Sequence, residues 1–255
     1  MIEKRRPWLL SAVLLLASGT VAWIVTSLWW LPCRGAMLVG TILESAATAE
    51  FSDQCLVRMD SGTPFPLIVA VDGAAPGMYE LSALTIVLAA LAWLVAVVAT
   101  PMSIWSRLFG VSIAVSLVVL AWAGLEPLGR NDTGSAIGGY AWQLVDLAGL
   151  GFVIAYAASR RWRKAPESSL LLAVVFIGVT GFGLIRSLLD YMVMGTWSQA
   201  NWDTPPGSGY LVVASLLLCG LVVITLTFRR PGAPAGWQDA TDGDDRVVLL
   251  DNPPA

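Results

Sequence analysis

The chain has no histidine. Haem b in a membrane bundle and most zinc and copper sites take imidazole ligands, so this absence argues against a haem subunit or a His-based metalloenzyme. It also removes the usual base of a Ser or Cys triad. Charge is scarce: Asp, Glu, Lys and Arg make up 13% of 255 residues, against roughly 25% in globular domains. Lysine is nearly missing, with Lys4 and Lys164 beside thirteen arginines, which together with abundant Ala, Val and Gly points to a GC-rich bacterial source. No C-x-x-C, phosphate-binding loop or cluster of acids within a span occurs. No metal, no cofactor, no haem and no nucleic-acid partner is therefore expected, and an enzyme is the third of three readings.

What is present is hydrophobic, at 56% of residues, and it comes in long blocks. About 20 apolar residues at about 1.5 Å each cross a hydrocarbon core of roughly 30 Å. The expected fold class is all-α, a polytopic membrane helical bundle of six transmembrane helices. The spans are 8–31, 81–99, 108–125, 141–158, 170–189 and 210–228. Residues 8–31 follow Lys4, Arg5 and Arg6 and are too long for the h-region of a signal peptide, so they read as an uncleaved anchor. Pro32 before Cys33 is wrong for a lipobox. The expected organisation is a six-span domain over 1–230, including an outer loop 32–80, and a disordered acidic cytoplasmic tail over 231–255.

The turn Arg160-Arg161-Trp162-Arg163-Lys164 sets the topology, because four cations between two spans mark a cytoplasmic turn. Eleven cations then fall inside: Lys4, Arg5, Arg6, Arg107, Arg160, Arg161, Arg163, Lys164, Arg229, Arg230 and Arg246. Arg34, Arg58 and Arg130 fall outside, with ten of the eighteen acids. Both termini are placed in the cytoplasm, and the membrane is read as a bacterial plasma membrane. Most of the twelve tryptophans, Trp29 and Trp30 among them, fall at predicted interfaces and read as belt anchors, while Trp93 in mid-span reads as packing. Asn131-Asp132-Thr133 is formally a glycosylation sequon and is taken as chance.

In the outer loop, Cys33 and Cys55 are expected to form a disulfide, since both lie on the oxidising side. Residues 35–50 read as a short amphipathic helix and 67–71 as a short strand. Asp146 and Arg186 are the only ionisable residues clearly within spans. Placed about five and three residues from the outer ends of neighbouring antiparallel helices, they are expected to pair in the outer leaflet, with Asp190 sharing the arginine from the same helical face. Glu80, Glu126, Asp146, Arg186 and Asp190 are together the candidates for an outward-facing polar vestibule. Gly178, Gly181 and Gly183 read as close-packing positions.

Two functions follow as expectations. The first is a structural, accessory or envelope-interaction protein with the lipid bilayer and a membrane protein as partners, residues 247–250 of the tail being one docking segment. The alternative is a small-solute transporter or ligand receptor using Asp146 and Arg186; shallow charges and the lack of a proline break count against it.

Overall fold

A backbone without water must satisfy its N–H and C=O groups internally, and helix is the local way to do so. The computed structural model describes residues 5–33, 51–61, 65, 67, 74–125, 132–163, 165–198 and 204–229. Among them the chain forms α1 (Arg6–Trp29), α2 (Asp53–Asp60), α3 (Met78–Ala99), α4 (Ile104–Leu125), α5 (Asp132–Ala158), α6 (Pro166–Val179), α7 (Leu184–Ser198) and α8 (Tyr210–Phe228), and no strand. Five helices are long and apolar enough to cross a membrane: α1, α3, α4, α5 over Ala136–Ala158, and α8. The count rises to six if Pro166–Phe182 and Leu184–Thr196, bent by 74°, form one span.

The long helices pack antiparallel, and small residues set the closeness. Ser11 and Ser18 of α1 donate to the carbonyls of Ala92 (2.9 Å) and Thr85 (2.8 Å) of α3, so α1 runs against α3. Such interhelical bonds are worth about 0.6 kcal/mol each in membrane bundles. Gly19 faces Leu217 and Gly220 faces Leu16, which sets α1 against α8; Gly178 and Gly181 face Cys219 and Ser215, which sets α6 against α8. α4 lies between α3 and α5. In the middle, the buried Trp93 donates its indole N–H to the Gly110 carbonyl at 2.7 Å and meets Phe152 edge-on at 5.0 Å. Phe176 stacks on Phe152 at 5.6 Å, so this aromatic cluster joins α3, α5 and α6.

This antiparallel order puts Arg6, Arg107, the 160–163 turn and Arg229 at one end of the bundle, here called the basic end. At the other end α1 runs into a 3-10 turn, Leu31–Cys33, and Cys33 is bonded to Cys55 of α2 with Cα atoms 4.9 Å apart. Ser52 caps α2 by accepting from the Cys55 N–H at 3.2 Å. The bridge brings Cys55, Arg58 and Met59 onto the bundle, all buried. Arg58 lies 4.6 Å over the Trp29 ring. Burial pulls its guanidinium pKa below the ordinary value, with Tyr79 opposing that shift. The Met59 carbonyl accepts from Thr204 N–H at 2.8 Å. Phe65 meets Phe182 edge-on at 6.0 Å, and Leu67 lies against Gly124, whose missing Cβ would sit 2.9 Å from the Leu67 carbonyl. α2 with Phe65 and Leu67 thus forms a packed cap tied by the disulfide.

Several expectations change. α2 is a helix absent from the sequence reading; the loop signal was Ser52 ahead of Asp53, a short cap on an unremarkable run. Trp29 and Trp30 are not surface anchors, because the cap covers them: they are 0% and 1% exposed, and the Trp30 indole donates to the Ser208 carbonyl at 2.8 Å. α5 begins at Asp132 rather than 141. The helix that carries Arg186 and Asp190 continues to Ser198, beyond the expected end at 189. The expected span 170–189 is broken, as described next. The expected helix 35–50, the strand residues 68–71, Glu126 and the tail 231–255 lie outside the described residues.

Candidate functional site

The site begins with a helix that stops. α6 ends at Val179, a 3-10 turn runs Thr180–Phe182, and Gly183 is extended (φ −85°, ψ 164°) before α7 starts at Leu184. A helix start leaves its first N–H groups without intrahelical partners, which is costly away from water. Asp146 of α5 supplies the acceptor: its carboxylate takes the Ile185 N–H at 3.0 Å, with the Leu184 N–H also directed at it. Gly183 makes the approach possible, since a Cβ there would collide with the Asp146 carboxylate. The α7 N-terminus carries roughly half a positive charge, so a carboxylate is the favourable cap.

Asp190 repeats the device one helix later. It is 2% exposed and accepts from Gly209 N–H at 2.6 Å and Leu211 N–H at 3.2 Å, capping α8. Gly209 adopts φ +99°, a region glycine occupies without strain, and this turns its N–H toward Asp190. Asp146 on α5 therefore holds the start of α7, and Asp190 on α7 holds the start of α8.

Arg186 stands between them. No ion pair joins it to Asp146: that carboxylate is committed to backbone, and the Arg186 Nε is buried with no hydrogen-bond partner. The charge of Arg186 is felt by Asp190. The expected Asp146–Arg186 bridge is thus replaced by two caps with a guanidinium between them. α5 and α6 are antiparallel neighbours, as expected, and Gly149 faces Phe176 and Thr180. They are joined by the Phe152–Phe176 stack and, near the basic end, by the Tyr156 and Ser169 hydroxyls 2.8 Å apart. Beside these contacts lies an open groove of about 380 Å³ lined by Asp146, Leu150, Ile177, Thr180, Ile185 and Arg186, among others.

Depth also differs from expectation. Asp146 lies ten residues after Ala136 and twelve before Ala158, near the middle of the apolar part of α5. Of the expected vestibule residues, Glu80 is exposed in the first turn of α3 and Asp190 is buried under the turn 204–209. The site that does form combines Asp146, Gly183, Arg186 and Asp190. Gly183 was visible in the sequence as one of three mid-span glycines, but its partner was not.

Comparison of the chain with family models, with curated proteins and with solved structures gives no match. The fold and site define a class only: an all-helical chain with five or six helices fit to span a membrane, carrying a disulfide-tied cap and a helix broken beside a largely apolar groove with Asp146 and Arg186 in its lining.

Proposed function

We propose that this is a multi-pass membrane protein that binds a small solute in the groove between α5, α6 and α7, as a transporter or ligand receptor. The observation that carries the reading is the half-buried Arg186, which with Asp146 lines a groove at a helix break, within the roughly 300–1,000 Å³ range of ligand sites. The absence of a proline break no longer counts against the reading, because glycine and a cross-helix carboxylate make the break here. Substrate sites on interrupted helices near mid-membrane are the common transporter plan. The two carboxylates are balanced by one guanidinium and two helix N-termini, so the groove suits an uncharged or zwitterionic solute whose oxygen accepts from Arg186. Its apolar body would lie along Leu150 and Ile177.

The same proposal places both termini, the basic turn and an acidic tail 231–255 in the cytoplasm of a bacterium, with six crossings of the plasma membrane and the disulfide cap outside. The test is a solute screen by thermal shift on the detergent-purified chain. A hit should raise the melting temperature of the wild type and lose affinity at least tenfold in Arg186→Met. Equal binding by both, or no hit among amino acids, sugars and small amphiphiles, would remove the groove as a solute site.

The accessory or envelope-interaction reading is favoured by a different observation. Only 22% of the apolar window of α5 is buried, against 44–56% in the other four spanning helices, and Gln143 is exposed within it. A polar side chain on an apolar face suits a helix of a partner protein. Purification in mild detergent should then bring down one protein in stoichiometric amount, and Gln143→Leu should release it; a monodisperse chain alone would sink this reading.

A further inference from the structure

A second groove opens at the basic end, away from Arg186. It lies between the start of α4 and the end of α5 and measures about 510 Å³. Its floor is made of small residues, Gly151, Ala155 and Ala158, and its sides of Trp105 and Phe109. Only Ser103 and Ser159, at the basic-end mouth, bring polar atoms to it. Trp105 is 66% exposed. A slot that is apolar along its length and polar at one end matches a molecule with one hydrocarbon chain and a polar head.

The charge at the mouth says which head. Arg160 follows Ser159 directly and is exposed. Arg163 stacks at 5.1 Å over the ring of Trp162, itself exposed. Glu167, in the first turn of α6, is the one acid in the stretch 101–125 and 151–179. Arg160 is also the only described non-glycine residue with positive φ, at +50°. Glycine is the residue that such a helix-terminating position favours, and an arginine there keeps a cation at the groove mouth at a conformational cost.

The geometry points to a binding site for an anionic phospholipid, one acyl chain lying in the α4/α5 groove and the phosphate held by Arg160 at its mouth. Basic pockets between helices on one side of a membrane recognise anionic head groups in this way, with each nearby cation contributing about 1 kcal/mol, or about fivefold in affinity. Nothing in the site depends on the solute groove, which lies on the other flank of α5.

The test is native mass spectrometry of the full chain with phosphatidylglycerol and with phosphatidylcholine. The wild type should retain one phosphatidylglycerol in preference to phosphatidylcholine. Arg160→Gly should lower that preference about fivefold without harming the fold, since its φ suits glycine, and Arg107→Gln, on the opposite face of α4 from Trp105 and Phe109, should leave it within twofold. Ala158→Phe, which fills the slot from an exposed position, should abolish retention of the tight lipid. Arg163→Gln, off the groove, should leave the preference within twofold. Equal retention of the two lipids, an equal effect of Arg163→Gln and Arg160→Gly, or a second copy of the chain occupying the face in place of lipid would each overturn the site.

Discussion

Asp146→Ala is expected to lower the stability of the bundle by about 3 kcal/mol, more than any substitution of Arg186. The carboxylate caps a helix that begins within the apolar part of the molecule, and two N–H groups point at it. Loss of an N-cap costs about 1 kcal/mol on average, and a buried donor left unmade costs roughly 1–3 kcal/mol more. Asn at position 146 retains an acceptor and should recover more than half of the loss. Gly183→Ala should reproduce the loss by another route, because its Cβ claims the space of the Asp146 carboxylate. Arg186→Met should cost less than about 1 kcal/mol, since the Arg186 Nε has no hydrogen-bond partner among the described residues. Unfolding by denaturing detergent, followed by tryptophan fluorescence, ranks the four variants. A ranking in which Arg186→Met matches Asp146→Ala would restore the ion pair and reject the cap.

Reduction of the Cys33–Cys55 bridge is expected to destabilise the cap by about 3 kcal/mol, the chain-entropy value for a closed loop whose ends are 22 residues apart. The effect should be local. The Ser11–Ala92 and Ser18–Thr85 bonds and the Trp93 cluster lie well below the cap and do not depend on it. Release of α2 should instead expose Trp29 and Trp30, which it covers, and free Phe182 at the helix break from Phe65. Cys33→Ser/Cys55→Ser should therefore show red-shifted tryptophan emission and faster backbone hydrogen exchange around 180–186, with helix content nearly unchanged. An unchanged emission would mean that packing alone holds the cap. Global loss of helix would mean that the cap organises the whole bundle.

These expectations rest on features that were unequally visible beforehand. Hydrophobic length and flanking charge were enough to find the long helices, and α8 begins and ends where its composition says it should. The pairing of Cys33 with Cys55 followed from their both lying in the loop 32–80 after α1. The break at 180–183 did not follow. Gly178, Gly181 and Gly183 fit close packing as well as interruption, and the residues around them are as apolar as any span. What interrupts the helix is a carboxylate 37 residues earlier in the chain, and no window along the sequence contains both Asp146 and Gly183. The same holds for Asp190 and Gly209, separated by 19 residues and a turn.

Charge was misjudged for a related reason. Within an apolar run, Asp146 and Arg186 look like each other's natural partners, because two opposite charges are the simplest way to offset burial. A helix terminus offers a carboxylate a comparable partner, with partial positive charge and directed N–H groups, but its position is known only once helix ends are known. By itself the sequence determined the helical class, the spans of greatest length and the segregation of cations to one end, all of which depend on local composition and hydrogen bonding. The tertiary structure decided where the fifth apolar segment breaks, that α2 packs as a cap over Trp29 and Trp30, and that Arg186 lines a groove. Those depend on contacts between residues far apart in the chain, and shape and direction decide such contacts where composition does not.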